Sequence, residues 1–332
     1  MLGFALFGAG LIGHVHAGNL AANPRVNFVC IYDVVSGAAH KLGAKYGVGA
    51  APDVEAVLSD PAVDAVVIGS STSTHVDLLT ASAKAGKAVF CEKPIDLDLD
   101  RVVRCREEVS GLSVPIQIGF NRRFDPSHRA VYDAVRNGEI GKVEMVIVTS
   151  RDPEPPPIEY VKSAGGLFRD MMVHDFDIAR FVLGEEPIEV SAMGSALVDT
   201  EIGQVGHIDT AMALVRSESG ALCHLNNSFR AVYGYDQRVE VFGSAGMVRS
   251  DNLRPTSLER YGAQSTAARD PLQYFFTERY AESYAREIDD FIDSVEGGRE
   301  PSVTFDDGYR ALVLAAAADE SLATGRSVTV PR

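Results

Sequence analysis

Apolar and polar positions along the chain change rhythm near residue 124. Before that point, short continuous apolar runs alternate with stretches of helical period. Residues 4–7, 26–32, 63–69, 88–91 and 116–120 read as strands buried on both faces, and 76–85 and 101–109 as helices. Strand and helix in alternation predict a doubly wound parallel sheet with helices on both sides. After residue 124 the pattern predicts a helix over 126–137, a strand over 143–149 and a stiff extended loop through Asp152-Pro153-Glu154-Pro155-Pro156-Pro157. A helix over 168–183 is expected to end at Gly184. Strands follow at 190–197, 210–215, 221–229, 238–242 and 247–248, with no helices between them. Such a succession predicts a mostly antiparallel sheet. Helices over 280–296 and 307–324 close the chain. The fold class expected is α/β: a parallel-sheet domain over residues 1–120, then an α+β domain over 121–332, with a cleft between them.

The first strand leads into Gly8-Ala9-Gly10-Leu11-Ile12-Gly13, and the second strand ends in Asp33, 20 positions after Gly13. A GxGxxG between a strand and a helix, with an acid at that distance, is the fingerprint of a Rossmann dinucleotide site. Gly8 permits the tight turn, Gly10 lets a pyrophosphate approach the backbone, and Gly13 lets helix and strand pack closely. The phosphates sit at the N-terminus of the helix, beside Leu11 and Ile12. A carboxylate at Asp33 accepts hydrogen bonds from the ribose hydroxyls and repels a 2′-phosphate. Val34-Val35 supplies no cation to neutralise one, so the expected cofactor is NAD rather than NADP.

Composition narrows the field only a little. Apolar residues make up 46% and charged residues 23%, as in ordinary soluble globular proteins. A formal net charge of −15 argues against nucleic acid or an anionic membrane as partner. No apolar stretch is long enough to span a bilayer, and the first strand begins at the N-terminus, where a signal peptide would stand. Cys30, Cys91, Cys105 and Cys223 are scattered and show no paired metal spacing. They read as reduced residues of a cytoplasmic protein, and no metal is expected.

Three segments carry candidate chemistry. Cys91-Glu92-Lys93-Pro94 follows a parallel strand, at the sheet edge where ligands bind. Pro94 biases Lys93 away from helix, and a lysine there can bind a substrate hydroxyl. The second segment runs from Gly165-Gly166 to Asp177. On a regular helix, Asp170, His174 and Asp177 share one face while Met171, Met172, Phe176 and Ile178 pack away from it. A histidine between carboxylates is suited to take a hydroxyl proton near neutral pH. The same pattern also fits a solvated acidic helix face, or a metal pair lacking its third ligand. The third segment, Ser70-Ser71-Thr72-Ser73-Thr74-His75, can line a nicotinamide ribose through Ser71, Thr72 and His75, or serve only as a helix cap. Zinc alcohol dehydrogenase chemistry lacks its cysteine ligands here, and the Tyr-x-x-x-Lys of short-chain dehydrogenases does not occur.

Taken together, the glycine motif, Glu92-Lys93-Pro94, and Gly165-Gly166 followed by Asp170 and His174 resemble the family of glucose–fructose oxidoreductases and inositol dehydrogenases. The resemblance covers essentially the whole chain. Two segments are most similar to bacterial inositol 2-dehydrogenases: Gly119-Phe120-Asn121-Arg122-Arg123-Phe124-Asp125-Pro126, and the run from Thr149-Ser150-Arg151 to His174-Asp175-Phe176-Asp177. The resemblance implies that Lys93 binds the reacting hydroxyl, His174 accepts its proton, and Asp170 tunes His174 while touching a neighbouring hydroxyl. It also implies that Arg122 and Tyr235 contact a polyol or sugar substrate and that Glu92 and Lys93 border the cofactor. The open-faced sheet of the second domain implies a homotetramer. The reaction implied is oxidation of a ring hydroxyl of myo-inositol to the 2-keto inositol. Alternatives on the same scaffold are scyllo-inositol, D-chiro-inositol or an aldose as substrate, an NAD-dependent glycosidase, and a non-catalytic NAD sensor.

Overall fold

The apolar run at the N-terminus becomes β1 (Leu2–Phe7), and Phe4, Ala5, Leu6 and Phe7 are all inaccessible to solvent. The run is apolar throughout because β1 is a central strand, with parallel neighbours on both sides. Those neighbours are β2 (Val26–Tyr32) and β4 (Ala65–Ile68), and the sheet is completed by β3 (Gly49–Ala50), β5 (Ala88–Glu92) and β6 (Ile116–Gly119). The strand order β3-β2-β1-β4-β5-β6 reverses direction between β1 and β4. Ligands of open α/β sheets bind at such a switch point, beyond the carboxyl ends of the strands. The computed structural model describes residues 1–330; the last two residues of the predicted 121–332 domain lie outside it.

Two compact units are present. The first joins Met1–Asn121 with Ser283–Arg310, and the second joins Arg122–Glu282 with the chain from Ala311 onward. The continuous second domain read from the sequence differs from this. The helix Ala281–Gly297 presents Ile288, Phe291 and Ile292 on one stripe, and that stripe completes the core of the first unit. Phe291 packs edge-on against Phe4 and Phe90, at centroid distances of 6.0 and 5.9 Å. The Gln117 side-chain amide Nε2 donates to the Glu287 backbone carbonyl at 2.9 Å, and Arg25 pairs with Asp289 and Asp293 on the outer side.

In the second unit, seven strands form one mixed sheet. They are β7 (Val143–Arg151), β8 (Pro187–Ser195), β9 (Thr210–Ser217), β10 (Leu222–Ser228), β11 (Asp236–Gly243), β12 (Gly246–Arg249) and β15 (Val328–Thr329). The order is β12-β11-β7-β10-β9-β8-β15, with only β7 and β10 parallel. A separate hairpin pairs β13 (Glu259–Gly262) with β14 (Ser265–Arg269). Helices Pro126–Arg136 and Val173–Leu183 pack on the sheet. Strict alternation along β9 buries Ala211, Ala213 and Val215 and exposes Met212 and Leu214. Neighbouring strands extend the exposed set: Met193 is paired with Met212, and Met145 lies between Leu222 and Phe242.

Candidate active site

The glycine loop is built as its spacing requires. Gly8 has φ +102°, and a Cβ there would stand 2.5 Å from the Gly69 carbonyl oxygen beyond β4. A Cβ on Gly13 would meet the Gly8 carbonyl oxygen at 2.2 Å, so strand and helix touch through bare backbone. At Gly10 the opposite holds: nothing lies within 4 Å of the Cβ position. Gly10 is also the N-cap of the helix Leu11–Ala22, with no side-chain cap and no acid in the first turn. No side chain caps the start of that helix and the space beside Gly10 is open, as an anion site requires.

Asp33 follows β2 and accepts hydrogen bonds from the amides of Ala9 at 2.7 Å and Val35 at 2.8 Å. It thus holds the glycine loop as well as lying where ribose hydroxyls are expected. These features fit a dinucleotide such as NAD. Ser71 and Thr72 lie in a short turn after β4, where the Ser71 carbonyl accepts from Thr74 Oγ1 at 2.8 Å. His75 is buried behind that turn, with Nδ1 2.8 Å from the Pro94 carbonyl and Nε2 3.1 Å from the Ser70 carbonyl. Burial pulls its imidazole below the ordinary value, although both carbonyls favour the charged form. The ring therefore clamps two turns together rather than facing a ligand. Lys93 is half-buried between the buried Glu92 and Pro94, across a cis Lys93–Pro94 peptide bond.

In the second unit the regular helix expected over 168–183 is not formed. Phe168–Met172 is a wide π turn, followed by the α-helix Val173–Leu183, which Gly184 ends in a left-handed cap. π segments inside helices are frequent at functional sites. The glycines before it have φ +80° and +84°, and Gly166 is closely approached by His207, whose Nδ1 would stand 3.1 Å from a Cβ. Asp170 and His174 are half-buried on this segment, and Tyr160 donates its hydroxyl to Asp170 Oδ1 at 2.9 Å. Asp177 is buried instead of lining a solvated face, and its carboxylate takes both Nε and NH2 of Arg123, at 2.8 and 2.5 Å.

Arg122 and Tyr235 come together at a residue that sequence reasoning missed. Tyr280 is 1% exposed; its ring lies 5.8 Å from the Arg122 guanidinium and edge-on to Tyr235 at 5.9 Å. Arg122 NH1 also donates to Asp175 Oδ1 at 2.6 Å and to Ser150 Oγ at 2.7 Å. Burial pushes the Asp175 carboxyl up, against the pull of Arg122, Ser150 and Asn227. Tyr280 carries no sequence signal beyond an apolar position at the start of a helix.

Comparison with known proteins settles the lineage. The model of the oxidoreductase family with NAD-binding Rossmann fold matches residues 2–120. The GFO/IDH/MocA C-terminal domain matches residues 128–249. The chain belongs to this family. It is therefore an oxidoreductase, and NAD is its cofactor. It is 46% identical to an inositol 2-dehydrogenase of Rhizobium meliloti, over 98% of each chain. It is 47% identical to a myo-inositol 2-dehydrogenase of Thermotoga maritima, over 97% of each. The crystal structure of scyllo-inositol dehydrogenase from Lactobacillus casei, with NAD(H) and scyllo-inositol bound, superposes with a TM-score of 0.92 at 27% identity, covering 99% of each chain.

Proposed function

We propose that this oxidoreductase uses NAD to oxidise a ring hydroxyl of myo-inositol to the 2-keto inositol. The observation that carries the reading is the likeness, over almost the whole chain, to two inositol 2-dehydrogenases. Lys93 binds the reacting hydroxyl and favours its alkoxide form. His174 takes the hydroxyl proton, and Asp170, anchored by Tyr160, orients His174 and touches a neighbouring hydroxyl. Arg122 and Tyr235, gathered at Tyr280, contact the polyol. Gly8, Gly10, Leu11, Ile12, Gly13 and Asp33 hold the cofactor, with Ser71, Thr72 and Glu92 bordering it and His75 fixing the two turns behind. Bound NAD supplies the hydride acceptor. Each hydroxyl met by a polar group discriminates against an epimer by about 1–3 kcal/mol, because the wrong isomer leaves a buried partner unpaired.

The likeness to the scyllo-inositol enzyme favours a second reading, in which the same residues act on that epimer. In either case we propose a homotetramer built on the exposed sheet face. Met145, Met193, Met212, Leu214, Leu222 and Phe242 give that face the apolar character of an interface rather than a solvated surface. The four cysteines are unpaired thiols, in keeping with a reducing compartment, the cytoplasm.

The deciding experiment follows NADH formation with myo-inositol, scyllo-inositol, D-chiro-inositol and glucose under matched conditions. The reading expects the highest kcat/KM with myo-inositol and NAD. Turnover on none of the four, with NAD still bound, overturns it. His174→Ala is expected to lower kcat by about 10²–10⁴-fold while NAD affinity stays near wild type. Unchanged turnover in that variant removes His174 as the base.

A further inference from the structure

Inside the first unit, Glu92 meets two ionisable side chains, His16 and Glu287, that neither the cofactor loop nor the proposed chemistry uses directly. His16, on the helix Leu11–Ala22, brings Nε2 to 2.7 Å from Oε1 of Glu92, the last residue of β5. Glu287, on the helix Ala281–Gly297, directs a carboxyl oxygen into the same group, all three polar atoms lying within 4.8 Å of one another. His16 and Glu287 are completely buried and Glu92 is 7% exposed. Neither Glu287 oxygen has a hydrogen-bond partner. Gly119 leaves the space for this group: a Cβ there would stand 3.1 Å from the Glu92 carboxyl.

Two carboxylates and one imidazole in a closed interior need either a cation or protons. The geometry favours protons. Ligand atoms around a tetrahedral ion, at bonds of about 2.0–2.1 Å, stand roughly 3.3 Å apart. The 2.7 Å between His16 and Glu92 is a hydrogen bond. Burial, reinforced by the Glu92 charge, raises the Glu287 carboxyl well above the usual carboxylate range.

The group adjoins Lys93 in the chain. On one side of Lys93, the Glu92 side chain is held by His16; on the other, the Pro94 carbonyl is held by His75 at 2.8 Å. We propose that His16 and Glu287 are positioning residues for Lys93. His16 grips the Glu92 carboxylate, and Glu287 stands beside them as a neutral acid that adds no second negative charge to the pair, fixing the end of β5. The proposal rests on the reading that Lys93 meets the substrate.

The test compares wild type, Glu287→Gln and Glu287→Leu, each shown to be folded by its thermal melt. One readout needs no turnover: the rate at which an N-hydroxysuccinimide ester acylates Lys93, measured by peptide mass spectrometry against exposed Lys84. The other is kcat and KM on the inositol panel. Glu287→Gln, which keeps a neutral hydrogen-bonding group, is expected to match wild type within twofold in both. Glu287→Leu is expected to change Lys93 labelling at least threefold and to cut kcat about tenfold, with KM for NAD within twofold. Wild-type labelling in Glu287→Leu overturns the proposal. So does a Gln variant as impaired as Leu, which would mean that an ionised carboxylate, and with it a cation, is required. If Glu287→Leu does not fold, the infrared carbonyl band of a protonated carboxyl, present in wild type and absent from Glu287→Gln, decides; a missing band overturns the proposal. A labelling contrast without wild-type turnover on any inositol supports the positioning role and removes the substrate reading instead.

Discussion

Around the candidate-site residues, the two units hold their carboxylates differently. In the second, three interior carboxylates face guanidinium groups, Asp175 with Arg122, Asp177 with Arg123 and Asp125 with Arg279, while the buried Asp209 rests on backbone amides. In the first, the half-buried Asp33 rests on backbone amides, the buried Glu92 meets a histidine, and the buried Glu287 has no hydrogen-bond partner. Ion pairs held at short range make a stiff frame, and breaking one strands a charge. Beside the cofactor loop, the first unit relies instead on backbone amides at Asp33 and a histidine at Glu92.

The sharpest way to break this contrast is Arg279→Met. It leaves Asp125 buried without its guanidinium, and stability measured by urea unfolding is expected to fall by about 3–5 kcal/mol. A loss below about 1 kcal/mol would show that the pairs do not form the frame. Next in size is the acid response of the second unit. Burial lowers the His128 imidazole to about 4, against the pull of Asp125. Between the unfolded value near 6.5 and about 4, the unfolded chain takes up a proton that the folded chain refuses. Stability therefore falls as pH drops through that window, by roughly 3 kcal/mol in all. Denaturation midpoints measured from pH 7 to 4 are expected to slope less in His128→Gln. The smallest effect belongs to the first unit. Asp33→Ser removes the anchor of Ala9 and the repulsion of a 2′-phosphate, and the NAD-over-NADP preference in kcat/KM is expected to fall about tenfold, or roughly 1.4 kcal/mol. Unchanged selectivity would mean that Asp33 serves the loop alone.

What could be read from the sequence follows the range of the interactions. The glycine loop and Asp33 were legible because their spacing is set by one strand, one turn and one helix. The alternation along β9 was legible for the same local reason. The π turn at Phe168–Met172 was not, because its apolar pattern also fits a regular helix. Arg122 could be linked to a polyol only through resemblance; its partners Ser150 and Asp175 lie 28 and 53 positions away. Glu287 was hidden most thoroughly. It stands in Arg286-Glu287-Ile288-Asp289-Asp290, where charge on all sides reads as a solvated helix face. Only the apolar stripe of Ile288, Phe291 and Ile292 turns that glutamate inward.

The return of Ser283–Arg310 to the first unit sets an order of events during synthesis. The ribosome delivers β1 to β6 early, yet Phe291, which caps Phe4 and Phe90, emerges only after the whole Arg122–Glu282 segment has been made. At about 5–20 residues per second that interval lasts roughly ten to thirty seconds. Throughout it, the nascent parallel sheet lacks part of its apolar cover, and Glu92 waits for Glu287. The unit that begins first thus waits for a helix made after most of the second unit, and the interior group beside Lys93 is complete only when that helix arrives.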